Sequence, residues 1–232
     1  MKANKRGSLI VIEGVDGSGK ETQTKKLYDR LKGRGVSIKK ISYPRYDKES
    51  STLIKMYLRG DFGDKADDVS PYIASTFYAL DRYASYKEDY EDFYKEGGLV
   101  LADRYTTSNM FHQGGKITDP REREKFLDWL WDYEFNLYGL PVPDLVFFLD
   151  IPLDINTKLR KGRLNKFTGE SKQDIHEVDG EYLKRSYENA LALVNKYGWE
   201  TISCIKDGSL KTRDEIHEEI FNRLIEFIDN KR

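Results

Sequence analysis

The sequence predicts an α/β fold in which one five-stranded parallel sheet is covered by helices on both faces. Two observations lead to this prediction. Short, β-branched apolar runs alternate along the chain with longer amphipathic segments, and several runs, such as residues 9–12 and 145–149, hold apolar residues at consecutive positions. Consecutive apolar residues are typical of strands buried on both faces, whereas a sheet with one wet face shows alternation. Such strands, joined by helices, form a three-layer sandwich.

The predicted elements follow this alternation in order. The apolar runs predict strands at residues 8–13, 37–43, 99–102, 145–149 and 201–205. The amphipathic segments predict helices at residues 20–34, 52–58, 71–94, 106–113, 121–138, 179–197 and 214–228. The chain has no internal repeat and no linker rich in Pro, Gly or Ser, so we expect residues 1–232 to form a single domain. A highly charged stretch in residues 158–176 indicates either a solvated loop or a lid over phosphates.

The composition limits the class of protein. With 39 Lys and Arg residues against 40 Asp and Glu residues, the formal net charge is −1, which argues against a nucleic-acid partner. The apolar runs are far shorter than the roughly 20 residues that cross a bilayer, so we expect no membrane partner. The basic start of the chain lacks the long apolar segment of a signal peptide, and Cys204, the single cysteine, excludes an internal disulfide. We therefore expect a cytoplasmic protein.

A glycine-rich segment between the first predicted strand and helix is the strongest signal in the chain. Residues 14–20 read GVDGSGK, which is the spacing G-x-x-x-x-G-K. Glycines let successive N–H groups point at a triphosphate, the following helix adds its positive N-terminal end, and the lysine adds a charge. The segment predicts a nucleoside triphosphate site that comprises Gly14, Val15, Asp16, Gly17, Ser18, Gly19, Lys20, Glu21 and Thr22.

The residue after Lys20 departs from the usual loop. That position commonly carries a Ser or Thr hydroxyl that binds Mg²⁺, but here it is Glu21, and Thr22 follows one residue later. A carboxylate is a hard oxygen ligand that Mg²⁺ accepts, although its charge beside phosphates is unfavourable unless the metal offsets it. We interpret Glu21 as a metal ligand, directly or through water. The alternative is a loop that binds nucleotide without turnover.

A second polar group, Asp103-Arg104-Tyr105, follows the third predicted strand. The carboxyl ends of parallel strands meet at one edge of the sheet, so we expect this group to face the phosphate loop. Asp103 is a candidate for holding the metal's water or orienting a substrate, and Arg104 can bind a phosphate with two hydrogen bonds. A surface ion pair at the strand end is the alternative interpretation.

Taken together, four segments resemble the thymidylate kinases, a branch of the nucleoside monophosphate kinases that have the P-loop NTPase fold. The segments are residues 13–20 (EGVDGSGK), 78–82 (YALDR), 103–105 continuing to Asn109 and 113–115, and 149–152 (LDIP). The resemblance spans nearly the whole chain. It implies transfer of the γ-phosphoryl group of ATP to dTMP, Mg²⁺ as the cofactor, and a homodimer for which the aromatic-rich segment 72–94 has apolar positions to spare.

The resemblance also assigns residues to the sugar and base of dTMP, namely Asp16, Tyr78, Arg82, Asn109 and Gln113. Asp16 falls where the family contacts the 3′-hydroxyl, Tyr78 where an aromatic ring stacks on thymine, and Arg82 where an arginine reads the base edge. Residues four apart share a helix face, which suits both the Tyr78 and Arg82 pair and the two amides. Phe77 is the alternative stacking platform.

The phosphate of dTMP needs cations besides Arg104. Arg45, after the second predicted strand, ranks first, and Lys55 on the following short helix ranks second; a plain surface charge is the alternative for Arg45. In the predicted lid, the resemblance implies that Arg160 or Arg163 folds over the transferred group and stabilises its oxygens. By the same resemblance, residues 207–208 line the adenine side.

A deoxynucleoside kinase is the alternative activity within the same chemistry. It needs a carboxylate base near the sugar 5′-hydroxyl, and Glu13 lies where such an enzyme would place one. Asp16 and residues 113–115 match the monophosphate kinases better. A phosphate acceptor is already anionic at neutral pH and requires no base, so we interpret His112 as structural.

Overall fold

A computed structural model, which describes residues 6–160 and 179–230, has a central sheet of five parallel strands. The strands are β1 (Ser8–Glu13), β2 (Ile38–Ser42), β3 (Leu99–Asp103), β4 (Leu145–Asp150) and β5 (Glu200–Ser203). Their order across the sheet is β2-β3-β1-β4-β5, and every neighbouring pair is parallel. The predicted sheet is confirmed. Because β1 is central, the loops after β1, β3 and β4 meet at one edge.

Helices cover both faces of this sheet. They are α1 (Lys20–Gly33), α2 (Thr52–Arg59), α3 (Pro71–Ser85), α4 (Glu91–Lys95), α5 (Thr106–His112), α6 (Pro120–Trp131), α7 (Leu153–Arg160), α8 (Gly180–Tyr197) and α9 (Arg213–Asn230). A small antiparallel hairpin, β6 (Ile205–Lys206) with β7 (Ser209–Leu210), follows β5. Within the described ranges, no helix combines the length and apolar character that crossing a membrane requires.

The apolar core lies in two layers, one on each face of the sheet. Leu9 and Val11 of β1 pack with residues of α5, α6 and α8, whereas Ile10 and Ile12 pack with residues of α1 and α9. Alternate side chains of a strand point to opposite faces, so two covered faces require apolar residues at every position. This explains the continuous apolar runs of β1, β3 and β4, whereas the edge strand β2 exposes Lys39, Lys40 and Ser42.

Two predicted helices contain segments of π-helix. The prediction for residues 71–94 covers α3, the π-helical segment Tyr86–Tyr90 and α4, and the prediction for residues 121–138 covers α6 and the segment Asp132–Leu137. An extra residue in a helical turn rotates the following side chains, and a 3.6-residue pattern does not register it. The segment Asp132–Leu137 brings Glu134 into the interior, where the side chain is fully buried.

The region after β4 differs most from the sequence prediction. α7 occupies residues that the charge pattern assigned partly to a lid, and it is amphipathic and short. Residues 161–176 of the predicted lid lie outside the described residues. The hairpin β6–β7 was not predicted; Asp207 and Gly208 form its two-residue turn, with φ of 51° and 77°. Positive φ at both central residues is the type I′ geometry that Asp-Gly favours.

Candidate active site

The phosphate loop connects β1 to α1 at the centre of the sheet edge. Gly14, Gly17 and Gly19 have φ of 150°, 87° and 89°, all unfavourable for other residues. At Gly14, a Cβ atom would lie 2.6 Å from Ser18 Oγ and 2.9 Å from the Leu149 carbonyl oxygen. Ser18 Oγ is buried and has no hydrogen-bond partner among residues 6–160 and 179–230. The loop thus has the backbone shape that an anion-binding turn requires.

Lys20 lies at the start of α1 and is buried. Its Nζ donates a hydrogen bond to the Val15 carbonyl oxygen across the loop, at 2.9 Å. Burial lowers the pKa of Lys20 to about 8, and the nearby charge of Arg104 acts in the same direction, whereas Asp16 and Asp103 oppose the shift. A buried ammonium group with a lowered pKa gains stabilisation when an anion arrives, which suits a phosphate ligand.

Arg104 follows β3 and points at the phosphate loop. Its guanidinium forms an ion pair with Asp16, and Nη1 donates to Ser108 Oγ at 3.2 Å. Burial acts to lower the pKa of Arg104, but the carboxylates around it, with Asp16 the strongest, raise that pKa above its ordinary value. The structure therefore brings Asp16, Lys20, Asp103 and Arg104 together, as the strand-end prediction requires.

Arg82 lies on α3, where Glu134 holds most of its guanidinium. Nε donates to Glu134 Oε2 at 2.6 Å and Nη2 to Oε1 at 2.5 Å, and both side chains are fully buried. Nη1 lies 3.4 Å from Asn109 Oδ1, so the structure does bring these two predicted base-site residues together. Sequence reasoning missed Glu134, although an acidic residue on the apolar face of a predicted helix was a usable signal.

Two amides of the predicted base site are buried and incompletely hydrogen-bonded. Asn109 and Gln113 are 3% and 1% exposed. Within the part of the chain that the structure describes, Asn109 Nδ2 lacks an acceptor and Gln113 Oε1 lacks a donor. Buried polar atoms are nearly always paired, so an unmet donor beside an unmet acceptor indicates a place for a polar ligand. The O and N positions follow the assigned amide orientations.

The two candidate stacking rings on α3 differ in their neighbours. Phe77 contacts the rings of Phe62 and Tyr57, with centroids 5.7 and 6.3 Å apart. Tyr78 meets Tyr57 edge to face, with centroids 6.5 Å apart. Both rings are partly buried at the border of one apolar cluster. Packing between two rings suits a core role for Phe77, which favours Tyr78 as the stacking platform.

The two cations proposed for the acceptor phosphate have different surroundings. Arg45 is 9% exposed, and its guanidinium binds the carboxylates of Asp81, Glu88 and Asp89. Three carboxylates thus surround Arg45, and its assignment to the acceptor phosphate stays a prediction. Lys55 Nζ donates to the Tyr46 carbonyl oxygen at 3.1 Å. Lys55 is thus tied to the backbone of the loop that follows β2.

The two candidate metal ligands come from the end of β3 and the first turn of α1. Asp103, the last residue of β3, is 8% exposed and electrostatically coupled to Lys20, and Glu21 is exposed on the first turn of α1. Among residues 6–160 and 179–230, no three His, Cys, Asp or Glu side chains are grouped as a metal-binding cluster. Mg²⁺ in nucleotide sites commonly uses one or two carboxylates with phosphates and waters, so this donor set fits it.

Two further side chains contact the predicted site residues, and the first of them, Asn156, was not predicted from the sequence. Asn156 of α7 donates from Nδ2 to the Asp16 carbonyl oxygen at 2.7 Å and so holds the phosphate loop. The charged composition of the segment hid this helix. His112 Nε2 lies 3.4 Å from Arg104 Nη1, and the ring stacks on Tyr182 with centroids 6.0 Å apart. The interpretation of His112 as a structural residue stays a prediction; its ring contacts the guanidinium of Arg104.

The carboxylate of Glu13 is held by hydrogen bonds within the fold. It is fully buried and accepts hydrogen bonds from Tyr105 N, Thr107 Oγ1 and Ser108 Oγ, all at the start of α5. Burial raises the pKa of Glu13, while Arg104 and these hydroxyls oppose that shift. A base for a sugar 5′-hydroxyl must reach its proton, and these oxygens are occupied. The geometry does not support the deoxynucleoside kinase assignment.

Two lid arginines were predicted to reach the transferred group. Arg163 lies outside the described residues, as does the side chain of Arg160 at the end of α7. The predicted adenine contact at residues 207–208 lies in the turn of the hairpin after β5, which follows the same edge of the sheet.

Comparison with known proteins agrees with this geometry. A family model described as "Thymidylate kinase" matches residues 12–220. The thymidylate kinase of Mycobacterium tuberculosis is 31% identical over 179 residues, which cover 77% of this chain and 81% of that protein. The thymidylate kinase of a Sulfurihydrogenibium species is 31% identical over 219 residues, which cover 94% and 97% of the two chains.

A solved structure extends the likeness to the fold. The thymidylate kinase of Candida albicans superimposes with a TM-score of 0.70 at 23% sequence identity, covering 98% of this chain and 94% of that one. At that identity the match supports the three-layer P-loop fold only. The family model and the sequence relatives show which family the chain belongs to. The chain belongs to the thymidylate kinase family.

Proposed function

We propose that this chain transfers the γ-phosphoryl group of ATP to the 5′-phosphate of dTMP, giving dTDP and ADP. One observation carries the proposal. The phosphate loop and Arg104 lie at the same sheet edge as a buried base site whose amides, Asn109 and Gln113, have unmet hydrogen bonds. An ATP site and a site for a neutral base, with Arg104 available to a phosphate between them, suit a nucleoside monophosphate as the acceptor.

The reaction is an in-line displacement at the γ-phosphorus. An oxygen of the dTMP phosphate forms the new P–O bond as the bond to the β-phosphate oxygen of ATP breaks, and ADP leaves. The acceptor is anionic, so the protein's task is positioning and charge neutralisation. Lys20 holds the outer phosphates of ATP, and Arg104 bridges donor and acceptor phosphates after exchanging its ion pair with Asp16. Asp16 then becomes available to the sugar 3′-hydroxyl.

Thymine presents a donor at N3 between two carbonyl acceptors. The unmet acceptor of Gln113 and the unmet donor of Asn109 complement that edge, and Arg82 supplies a further donor from Nη1. Stacking on Tyr78 adds about 1 to 3 kcal/mol for any base. A methyl-sized pocket adds about 1 to 3 kcal/mol of preference for thymine over uracil, so selectivity between dTMP and dUMP is partial.

The acceptor phosphate is bound by Arg104 together with Lys55, which we now rank ahead of Arg45. Lys55 binds a backbone carbonyl of the loop after β2, whereas Arg45 is held by carboxylates. Arg160 and Arg163 remain our proposal for the lid, by resemblance alone. Mg²⁺, held by Asp103 and Glu21 or their waters, supplies positive charge to the phosphates when it is bound.

A coupled assay of ADP formation tests the proposal. The purified chain is supplied with ATP, Mg²⁺ and, in turn, dTMP, dUMP, UMP and thymidine. We expect dTMP to have the highest kcat/KM, thymidine to give no product, and Arg104→Met to abolish turnover. A preference for thymidine would indicate a deoxynucleoside kinase, and ATP binding without product under any divalent metal would indicate a binding module. Glu21→Ser is expected to change the metal requirement more than the choice of acceptor.

We also propose that the chain is a homodimer that pairs through α3. Ile73, Leu80 and Tyr83 are 54%, 44% and 40% exposed, and their spacing places them on one helix face, opposite the base site. Tyr83 contacts Tyr138 with ring centroids 5.1 Å apart, which extends the apolar surface towards the end of α6. A continuous apolar face of this kind favours burial against a second copy.

A further inference from the structure

Arg104 has a backbone conformation that few side chains adopt. Its φ of 67° lies in the left-handed region, where a residue with a Cβ is strained. Strain of this kind persists only where the surroundings fix the backbone on both sides. The Arg104 N–H donates to the Ile12 carbonyl oxygen at 3.2 Å, and the Tyr105 N–H donates to Glu13 Oε1 at 3.1 Å. Two consecutive residues of β1 therefore hold the two amides that flank the strained residue.

The side chain of Arg104 is tied to the same carboxylate through Ser108. Ser108 Oγ lies 2.9 and 2.8 Å from the two oxygens of Glu13 and accepts a hydrogen bond from Arg104 Nη1 at 3.2 Å. A hydroxyl has one hydrogen, and a carboxylate accepts only. The Ser108 proton is thus directed to Glu13, which leaves a Ser108 lone pair turned towards the guanidinium.

Glu13 is also placed between the two nucleotide sites. It directly precedes Gly14 of the phosphate loop, and its oxygens bind the first turn of α5, the helix that carries Asn109. The side chain is fully buried, which is costly for a carboxylate unless hydrogen bonds compensate. Burying this carboxylate costs desolvation free energy, and Glu13 takes no part in the proposed chemistry. We therefore look for a role that a neutral residue would not fulfil.

We propose that Glu13 is a positioning residue that fixes both the backbone and the guanidinium of Arg104, so that one arginine reaches the ATP loop and the acceptor phosphate together. The inference rests on the proposed function where it assigns Arg104 to phosphate binding. The contacts that hold Arg104 in place are independent of that function. It deepens that function by linking the donor loop to the acceptor helix through one carboxylate.

A double-mutant cycle tests whether Glu13 acts through Arg104. In the wild-type background, we expect Glu13→Gln and Ser108→Ala each to lower kcat about tenfold, the factor associated with losing one hydrogen bond to a charged group. In the Arg104→Lys background, which loses the guanidinium route through Ser108 but keeps the backbone contact, we expect Glu13→Gln to lower kcat by a clearly smaller factor. An equal fold-decrease in both backgrounds would mean a general structural role and would overturn the proposal.

Thr107→Val is the matched control. It removes a hydrogen bond of 2.6 Å to the same carboxylate, but the Thr107 hydroxyl donates to Glu13 and not to the Arg104 side of the network. We expect it to lower the melting temperature as Glu13→Gln does while kcat stays near the wild-type value. A kcat that falls as far in Thr107→Val as in Ser108→Ala would contradict the proposed route through Ser108.

A measurement without substrate separates this inference from the proposed activity. The Arg104 side-chain Nε–Hε resonance is identified in the NMR spectrum by its absence from Arg104→Lys. We expect it to be sharp and protected from exchange in the wild type and in Thr107→Val, and broadened in Glu13→Gln. An unchanged resonance in Glu13→Gln would overturn the positioning role even if dTMP is the acceptor. A changed one would uphold it even if another acceptor is found.

Discussion

Lys20 shows how the burial of one side chain sets a pH response. It is charged in the unfolded chain up to its ordinary pKa of 10.5 and in the folded chain only up to about 8. Between these values the unfolded state binds the additional proton, so this group makes the unfolding free energy rise with pH from about 8 to 10.5. Below pH 8 the buried charge is a standing cost that a phosphate ligand relieves.

The same lowered pKa predicts how ATP affinity depends on pH. Between pH 7 and pH 9 we expect the association constant for ATP to fall about tenfold, because the free enzyme loses the Lys20 charge. Isothermal titration calorimetry across this range provides the measurement. Lys20→Met is the control and is expected to bind weakly with little change over the same pH range. A flat profile for the wild type would show that another group carries the phosphate charge.

The two buried amides predict which base edge is selected. We expect Gln113→Leu to raise the KM for dTMP about tenfold, with a smaller change in kcat, because a hydrogen bond to a buried ligand is lost in the ground state as well. Steady-state kinetics with dTMP checks this. Tyr72→Phe, an exposed change on the outer face of α3, should leave the KM unaltered. An unchanged KM in Gln113→Leu would place the pyrimidine elsewhere.

Site residues with a strong local pattern were predictable from the sequence. The phosphate loop and the strand-end group 103–105 are short motifs, and their convergence follows from parallel topology. The ion pairs of Arg45 were not predictable, because its three carboxylate partners come from α3 and the π-helical segment after it, far along the chain. Asn156 and Glu134 were missed for the same reason, since each meets its partner only after folding.

At the scale of elements, the π-helical segment Asp132–Leu137 supplies the carboxylate that holds Arg82, a predicted base-site residue. It brings Glu134 inward, where the carboxylate binds Arg82 and accepts a hydrogen bond from Thr106 Oγ1 at 2.7 Å. One side chain thus ties the end of α6 to α3 and to the first residue of α5. A regular helix at this point would have turned Glu134 to a different direction.

This contact predicts a large effect on stability. Glu134→Ala leaves the guanidinium of Arg82 buried without its partner, and we expect the unfolding free energy to fall by about 3 to 5 kcal/mol. Urea unfolding followed by circular dichroism measures the change. Glu122→Ala, which removes an exposed carboxylate paired with Lys125 on α6, is the control and should cause no measurable change. Equal, small effects of both substitutions would contradict a stabilising role for the buried pair.

Helix boundaries were predictable where caps are local. Ser70 Oγ accepts from Ile73 N at the start of α3, and Asp119 accepts from Arg121 N at the start of α6, each followed by a proline at the first helical position. These signals lie within four residues of each other in sequence. The π-helical segments and the two-residue turn of the β6–β7 hairpin depend instead on packing between distant residues and on backbone angles. The pattern of residue types along the chain did not predict them.

For the whole molecule, the central position of β1 determines which loops lie next to the phosphate loop. With the order β2-β3-β1-β4-β5, the loops after β1 and β3 are neighbours, which brings Arg104 to Asp16 of the phosphate loop. The alternation of apolar runs and amphipathic segments predicted a parallel sheet, but not its strand order. That order follows from which helices cover which face, and thus from contacts between distant segments.

The exposed face of α3 predicts the oligomeric state. We expect sedimentation equilibrium to give twice the chain mass of 27.1 kDa, and Leu80→Arg to give the single-chain mass, because a charge in an apolar interface is costly to bury. Leu210→Arg, an equally exposed leucine in the β6–β7 hairpin, is the control and should remain dimeric. A monomeric wild type would exclude the dimer. Dissociation by both substitutions would show that the effect of Leu80→Arg is not specific to the face of α3.

A crystal structure with a bisubstrate analogue, adenosine and thymidine joined at their 5′ positions by a chain of five phosphates, tests most directly whether the two nucleotides meet at this edge. The account predicts phosphates between Lys20 and Arg104, and thymine stacked on Tyr78 with its edge at Asn109 and Gln113. A thymidine end that lies away from α3 and α5, or that leaves Asn109 Nδ2 and Gln113 Oε1 unpaired, would contradict it.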